Sequence, residues 1–265
     1  MLEIRGVCKT FNKGTINEKK ALNNLNLTLN DGDFVTVIGG NGAGKSTMLN
    51  MIAGVYPVDA GNIIIDGEEV TRLPEYKRAQ YLGRVFQDPM MGTAADMWIE
   101  ENMALASRRG QKRGLRWAIK AKERAEFKEL LKELDLGLEN RLSTKVGLLS
   151  GGQRQALTLL MATMKRPKLL LLDEHTAALD PKTAAKVLQL SDKLIKEDGL
   201  TALMITHNMR DAITYGNRLI MMNEGQIILD VSGEEKKKLT VEDLLAAFSR
   251  LSGNEFANDR ALLTK

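Results

Sequence analysis

Three short stretches carry residue types and spacings suited to handling phosphate. The run Gly39-Gly40-Asn41-Gly42-Ala43-Gly44-Lys45-Ser46-Thr47 fits the pattern G-x-x-x-x-G-K-[ST]. Small residues let successive backbone N–H groups turn toward an anion, and a helix opening at that point adds partial positive charge. Lys45 can then bridge phosphate oxygens while the Ser46 hydroxyl ligates Mg²⁺, which is the equipment for binding a nucleoside triphosphate. The second stretch, Leu169-Leu170-Leu171-Leu172-Asp173-Glu174, is an apolar strand ending in two carboxylates. Asp173 suits the Mg²⁺ shell, and Glu174 suits accepting or orienting the proton of an attacking water. The third, Leu149-Ser150-Gly151-Gly152-Gln153-Arg154, precedes a helical run that reaches Lys165. Ser150 is an N-cap residue type, and the two glycines leave backbone N–H groups accessible, so this is a second anion-binding helix terminus.

Each stretch alone is ordinary, since Gly-rich turns, strand ends and helix caps are common. Context gives them meaning. The apolar run Phe34–Ile38 is too short for a buried helix and reads as a central parallel strand, and the loop that follows it opens a helix from about Lys45 to Ala53. Before it, Leu2, Ile4 and Val7, then Leu25, Leu27 and Leu29, alternate with polar residues as strands with one covered face do. Residues 61–67 read as a further strand closed by a turn. From about Pro89 to Lys165 the strand signal vanishes, and helices are expected over 100–106, over 117–134 and from Ser150. Strand signals return at 169–172 and 202–206 around a helical stretch from Pro181 to Glu197, the alternation of βαβ units. A hairpin over 219–229 and a helix over 241–248 follow, and the residues beyond Ser252 are expected to be loosely held.

The bulk properties bound the function. A chain of 265 residues can build one α/β core with an insertion, but not two such units. No apolar run is long enough to span a bilayer. Glu3, Arg5 and Lys9 interrupt the N-terminus where a secretion signal needs an apolar stretch, and the single cysteine, Cys8, allows no disulfide within the chain; both suggest the cytoplasm. A net charge of +4 does not by itself indicate nucleic acid, and no nucleic-acid partner is expected. The basic residues between Ser107 and Lys132 read either as a solvated helix face or as a surface for a membrane or partner.

Taken in order, GGNGAGKST, LSGGQ-R and LLLLDE resemble the ATP-binding cassette (ABC) ATPases, and the likeness runs from about Leu2 to about Val231. The resemblance implies a P-loop NTPase core with an antiparallel β subdomain and an inserted helical subdomain. It divides the chain into a cassette over 1–235, with the helical insertion at about 89–165, and a helical tail over 236–265. ATP and Mg²⁺ are the implied ligands. Further roles come with it. Phe11 stands where an aromatic stacks on adenine, Gln87 resembles the Q-loop glutamine that reaches Mg²⁺ and water, Asp180 resembles the D-loop aspartate that crosses to a partner, and His207 resembles the switch histidine at the γ-phosphate. Glu174, His207 and Gln87 are thus the implied catalytic set, Ser46, Gln87 and Asp173 the metal set, and Gly39–Thr47 with Phe11, Ser150, Gly151, Gly152, Gln153 and Asp180 the nucleotide set.

One residue departs from the family pattern: His175 follows the Asp-Glu pair where most members have Pro. Its imidazole either shifts the local charge or fills space. The family also implies a head-to-tail dimer of two copies, in which Ser150-Gly151-Gly152 of one copy closes over the phosphate loop of the other. Separate transmembrane permease subunits are expected to dock around Gln87–Trp98, with an extracytoplasmic substrate-binding protein in the same system and the cassette on the inner face of the membrane. A bacterial importer is the implied system, with an amino acid as one candidate cargo. The alternatives are a non-transport membrane complex, or a soluble cassette acting on ribosomes or DNA.

Overall fold

A computed structural model describes residues 1–111 and 119–251. The expected helix start at Trp117, part of the basic run and the segment beyond 251 lie outside the described residues.

Two sheets organise the chain. Strands β1 (Leu2–Phe11), β2 (Lys19–Leu29), β4 (Ala60–Ile65) and β5 (Glu68–Glu69) form an antiparallel sheet in the order β2-β1-β4-β5. Strands β3 (Phe34–Ile38), β6 (Leu82–Val85), β7 (Leu169–Asp173), β8 (Ala202–Ile205), β9 (Arg218–Asn223) and β10 (Gln226–Ser232) form the second, in the order β10-β9-β3-β8-β7-β6. Pairing there is parallel except at the β9–β10 hairpin.

The apolar runs of β7 and β8 follow from burial on both faces. Leu169, Leu171, Leu203 and Ile205 point into the layer shared with the antiparallel sheet and helix α1 (Lys45–Ala53). Their alternates Leu170, Leu172, Ala202 and Met204 pack on the other face, against α6 (Pro181–Asp198) and one side of α5 (Gly151–Thr163). Short helix α2 (Glu75–Arg78) precedes β6. Between β6 and β7, α3 (Ile99–Ser107), α4 (Ala121–Lys132) and the other side of α5 enclose a core of their own around Met103, Phe127, Leu131, Leu157 and Leu160. After β8 come α7 (Met209–Thr214), α8 (Gly233–Lys238) and α9 (Val241–Leu251); Leu244 and Phe248 of α9 bury against Leu219 and Met221 of β9.

Three arginines of the basic run have partners within the chain. Arg108 pairs with Glu123 at 3.0 Å, Arg124 with the buried Glu100 at 2.6 Å, and Arg109 donates to the Ala162 carbonyl. Among the described residues no helix is long and apolar enough to cross a membrane.

Candidate functional site

The phosphate loop joins the end of β3 to the start of α1. It is closed by Ala43 N–H donating to the Gly40 carbonyl at 3.2 Å, and is braced from outside by Gly225 N–H on the Ala43 carbonyl at 3.0 Å. Gly44, at the N-cap of α1, has φ 99°, and a Cβ there would sit 2.6 Å from the Ala21 carbonyl oxygen, so a side chain is excluded by both conformation and space. Lys45 is 5% exposed, and its ammonium donates to the Gly39 and Gly40 carbonyls at 2.7 and 3.0 Å. The cation is held inside the loop's own curve, where incoming phosphate oxygens can take over from these carbonyls.

A cleft of about 390 Å³ opens over the loop. Asn41 to Thr47 line its floor, and Phe11, Glu174 and His207 line its walls together with Lys19 and Ala21. Residues at or just beyond the ends of five strands thus meet at one cleft. His207 Nε2 lies 2.6 Å from Glu174 Oε1. Glu174 has φ 46°, a left-handed conformation uncommon for a residue with a side chain. Such strain concentrates where a carboxylate must be aimed. Phe11 packs edge-on against Tyr56, ring centroids 5.3 Å apart.

Asp173, one residue earlier on β7, is mostly buried. Burial raises its pKa above the usual carboxylate value, Arg84 opposes the shift, and Glu174 beside it reinforces it. The Arg84 guanidinium lies 3.7 Å from Asp173. The Ser46 hydroxyl, Asp173 carboxylate and Gln87 amide are hard oxygen donors of the kind Mg²⁺ takes, Ser46 lies in the cleft, and Lys45 is close enough to Asp173 to act on its charge. The chemistry of this donor set fits the metal, although of the three only Ser46 lines the cleft.

Other expected site residues lie apart from the cleft. Gln87 is exposed in the loop after β6 and does not line it. Ser150, Gly151, Gly152, Gln153 and Asp180 are likewise absent from its walls. Ser150 caps α5 in a reciprocal box: its Oγ accepts from Gln153 N–H at 3.3 Å, and Gln153 Oε1 accepts from Ser150 N–H at 3.2 Å. Asp180 caps α6 by accepting from Thr183 N–H at 3.1 Å, and contact with Thr183 holds its pKa below the usual value. The two caps touch, because a Cβ on Gly152 would meet Thr183 Cγ2 at 2.1 Å.

His175 is buried, only 2% exposed, and burial pushes its pKa down to about 4. Its Nε2 meets Ser191 Oγ at 2.9 Å, and Ser191 gives its one hydroxyl proton to the Val187 carbonyl. The imidazole must therefore carry its proton on Nε2 and donate to Ser191. It is neutral at pH 7 and fills space behind the acidic pair.

Sequence reasoning overlooked three residues. Lys19 opens β2 after a loop, with nothing in its local pattern to mark it, yet its ammonium would lie 2.9 Å from a Cβ on Gly42. Arg84 sits inside a four-residue strand. Gln155 of α5 is fully buried, and its Nε2 donates to the Phe86 carbonyl at 3.1 Å, one residue before Gln87. That contact links the helix capped by Ser150 to the Gln87 loop.

Comparison with known proteins agrees with this arrangement. Residues 22–177 match the family model described as ABC transporter. The chain is 45% identical over 248 residues to a tyrosine transport ATP-binding protein of Clostridioides difficile (strain R20291), covering 94% of this chain and 98% of that one. It is 35% identical over 235 residues to the spermidine/putrescine import ATP-binding protein PotA of Haemophilus influenzae (strain ATCC 51907 / DSM 11121 / KW20 / Rd), of which it spans 59%. Among solved structures, an ATP-binding cassette dimer in a post-hydrolysis state with ADP and Pi superposes with a TM-score of 0.73 at 32% identity, covering 88% of this chain and 98% of that chain. The order of phosphate loop, Ser150-capped helix and Asp173-Glu174, on a P-loop core carrying an antiparallel sheet and a helical insertion, therefore has one reading: the chain belongs to the ABC transporter family and is an ATP-binding, ATP-hydrolysing cassette.

Proposed function

We propose that this cassette energises a membrane importer whose cargo is tyrosine or a related aromatic amino acid. The observation that carries the proposal is the 45% identity to a tyrosine transport ATP-binding protein along nearly the whole of both chains. The cassette domain takes in residues 1–235, with the helical insertion at about 89–165 and a helical tail at 236–265. It works on the inner face of the membrane, bound to separate permease subunits that receive cargo from an extracytoplasmic binding protein. A groove of about 1040 Å³ between α2, the loop after β6, α3 and α5 supports this docking; Tyr76, Met91 and Leu105 are exposed along it.

ATP binds with its adenine on Phe11 and its phosphates in the loop from Gly39 to Thr47. Lys45 leaves the Gly39 and Gly40 carbonyls for phosphate oxygens. Ser46, Asp173 and Gln87 would hold Mg²⁺, which neutralises charge on the phosphates when bound. Glu174 orients the attacking water, and His207, already 2.6 Å from Glu174, reads the γ-phosphate. Ser150, Gly151, Gly152 and Gln153 cap the nucleotide of a second, head-to-tail copy, with Asp180 crossing the same interface. The solved dimeric cassette and the separation of these residues from the chain's own cleft support that division of labour.

The test is purification of the tagged cassette from detergent-solubilised membranes, followed by uptake of labelled tyrosine in cells carrying wild type or Glu174→Gln. A polytopic membrane subunit should co-purify, and the variant should abolish uptake. Recovery with ribosomes or DNA instead, or with a membrane complex that moves no cargo, would overturn the proposal.

A further inference from the structure

Arg84 is a guanidinium in a strand whose other residues are Leu82, Gly83 and Val85. Its side chain is only 13% exposed, and an arginine so enclosed is costly unless it is paired. The strand register determines what it can reach. Arg84 pairs with Leu171 across the parallel β6–β7 ladder, so its side chain shares a sheet face with Leu171 and, two residues on, Asp173. Three elements hold it there. One terminal nitrogen donates to Asn50 Oδ1 of α1 at 2.7 Å, the guanidinium carbon stacks 4.4 Å from the centre of the Phe86 ring, and the same terminal nitrogen approaches Asp173 Oδ2 at 3.7 Å.

The separation from Asp173 is informative. At 3.7 Å the two charges attract strongly but do not form the tight two-pronged pair that arginine makes with a committed carboxylate partner. Arg84 Nε is buried and finds no acceptor among the described residues. A core staple would use both. This arginine instead supplies charge to Asp173 while leaving the carboxylate oxygens open to a stronger cation. Its outer edge also lines the docking groove, near Tyr76 and Met91.

We propose that Arg84 is a positioning residue for metal–nucleotide loading: it stands as counter-cation to Asp173 before Mg²⁺ arrives and sets the concentration of Mg²⁺ needed to displace it. The inference rests on the assignment of Asp173 to Mg²⁺. Because the same side chain borders the groove, a partner seated there acts on the metal end of the site through a single residue.

The test is ADP binding by calorimetry across a Mg²⁺ titration, with nucleotide-free melting measured alongside, for wild type, Arg84→Met, Arg84→Gln, Arg84→Lys and Asp173→Asn. Removing the charge in Arg84→Met or Arg84→Gln should lower the half-saturating Mg²⁺ by about tenfold, the effect of a monovalent on a divalent charge about 6 Å away even at the dielectric constant of water. Arg84→Lys keeps the charge and should stay within about twofold of wild type. Arg84→Gln guards against a folding defect in Arg84→Met, because it keeps a neutral hydrogen-bonding group in the enclosed site. If the neutral variants leave the Mg²⁺ dependence unchanged, with or without a lower melting temperature, while Asp173→Asn loses it, Arg84 is only a staple and the proposal falls alone. If Asp173→Asn also keeps the wild-type Mg²⁺ dependence, the metal assignment itself fails.

Discussion

His175 turns acid into a measurable destabilisation. In an unfolded chain its imidazole takes up a proton near pH 6.5, whereas burial holds the folded value near 4. The folded state binds the proton less well, so stability is fully present above pH 6.5 and is lost as pH falls toward 4. At pH 5 the unfolded histidine is almost fully protonated and the folded one is mostly neutral, and linkage puts the cost at about 2 kcal/mol. For a domain of this size that lowers the melting temperature by about 6 °C. The structural reason is that Nε2–H is already committed to Ser191, whose own proton goes to Val187, so a second proton would place charge on a buried Nδ1. Urea denaturation of wild type and His175→Gln at pH 7 and pH 5 isolates the effect, since the carboxylates and His207, the only other histidine, are common to both proteins. Glutamine can still donate to Ser191 but cannot titrate. Wild type should lose about 2 kcal/mol more than the variant between the two pH values, and parallel losses, within about 0.5 kcal/mol, refute the reasoning.

Other substitutions probe the site and its scaffold. Glu174→Gln should keep ATP binding while lowering turnover by about 10²-fold or more, as measured by phosphate release; near-normal turnover removes Glu174 from its role. Lys45→Ala should lose most nucleotide affinity in calorimetry, because the cation held at the Gly39 and Gly40 carbonyls has no substitute inside the loop. Arg78 is 1% exposed and donates to the carbonyls of Met51, Ile52, Leu73 and Thr71, tying the end of α1 to α2. Arg78→Met leaves these acceptors without their donor and should cost about 3 kcal/mol in urea denaturation. A loss under about 1 kcal/mol would show that water replaces the guanidinium.

What could be read in advance follows the range of the forces involved. Phe34–Ile38 and Leu169–Asp173 were legible as central strands because burial on both faces demands unbroken apolar sequence, a local signal. Helix α1 was legible from Lys45 to Ala53 because a phosphate loop must open a helix. Strand β6 was not read, since Leu-Gly-Arg-Val has no period, and its arginine is tolerated only through Asn50, 34 residues away, and Asp173. Lys19 was missed for the same reason: only the fold brings it to Gly42. His175 was visible as a departure from the family pattern, but the choice between charge and filler depended on Ser191, 16 residues further along and one helix away. Motif order, in contrast, brought Phe11, Gly39–Thr47, Glu174 and His207 into consideration together, and all but the first two glycines of the loop line one cleft.

The residues that do not line that cleft are organised as well. Ser150 caps α5, Asp180 caps α6, and Gly152 is small enough to let Thr183, the residue Asp180 holds, press against the first turn of α5. The two caps therefore form one packed unit, and a shift in either helix start must carry the other with it. Gln155, four residues past the start of α5, holds the carbonyl of Phe86, so the same helix is tied to the loop bearing Gln87. Phe86 in turn stacks on Arg84, which faces Asp173. A continuous path of direct contacts thus runs from the Ser150 cap, along the first turns of α5, to the groove wall and the carboxylate at the end of β7. In the proposed dimer, where Ser150 to Gln153 close over the nucleotide of a second copy, this path would let each copy register at its own Asp173 and Glu174 what its partner has bound.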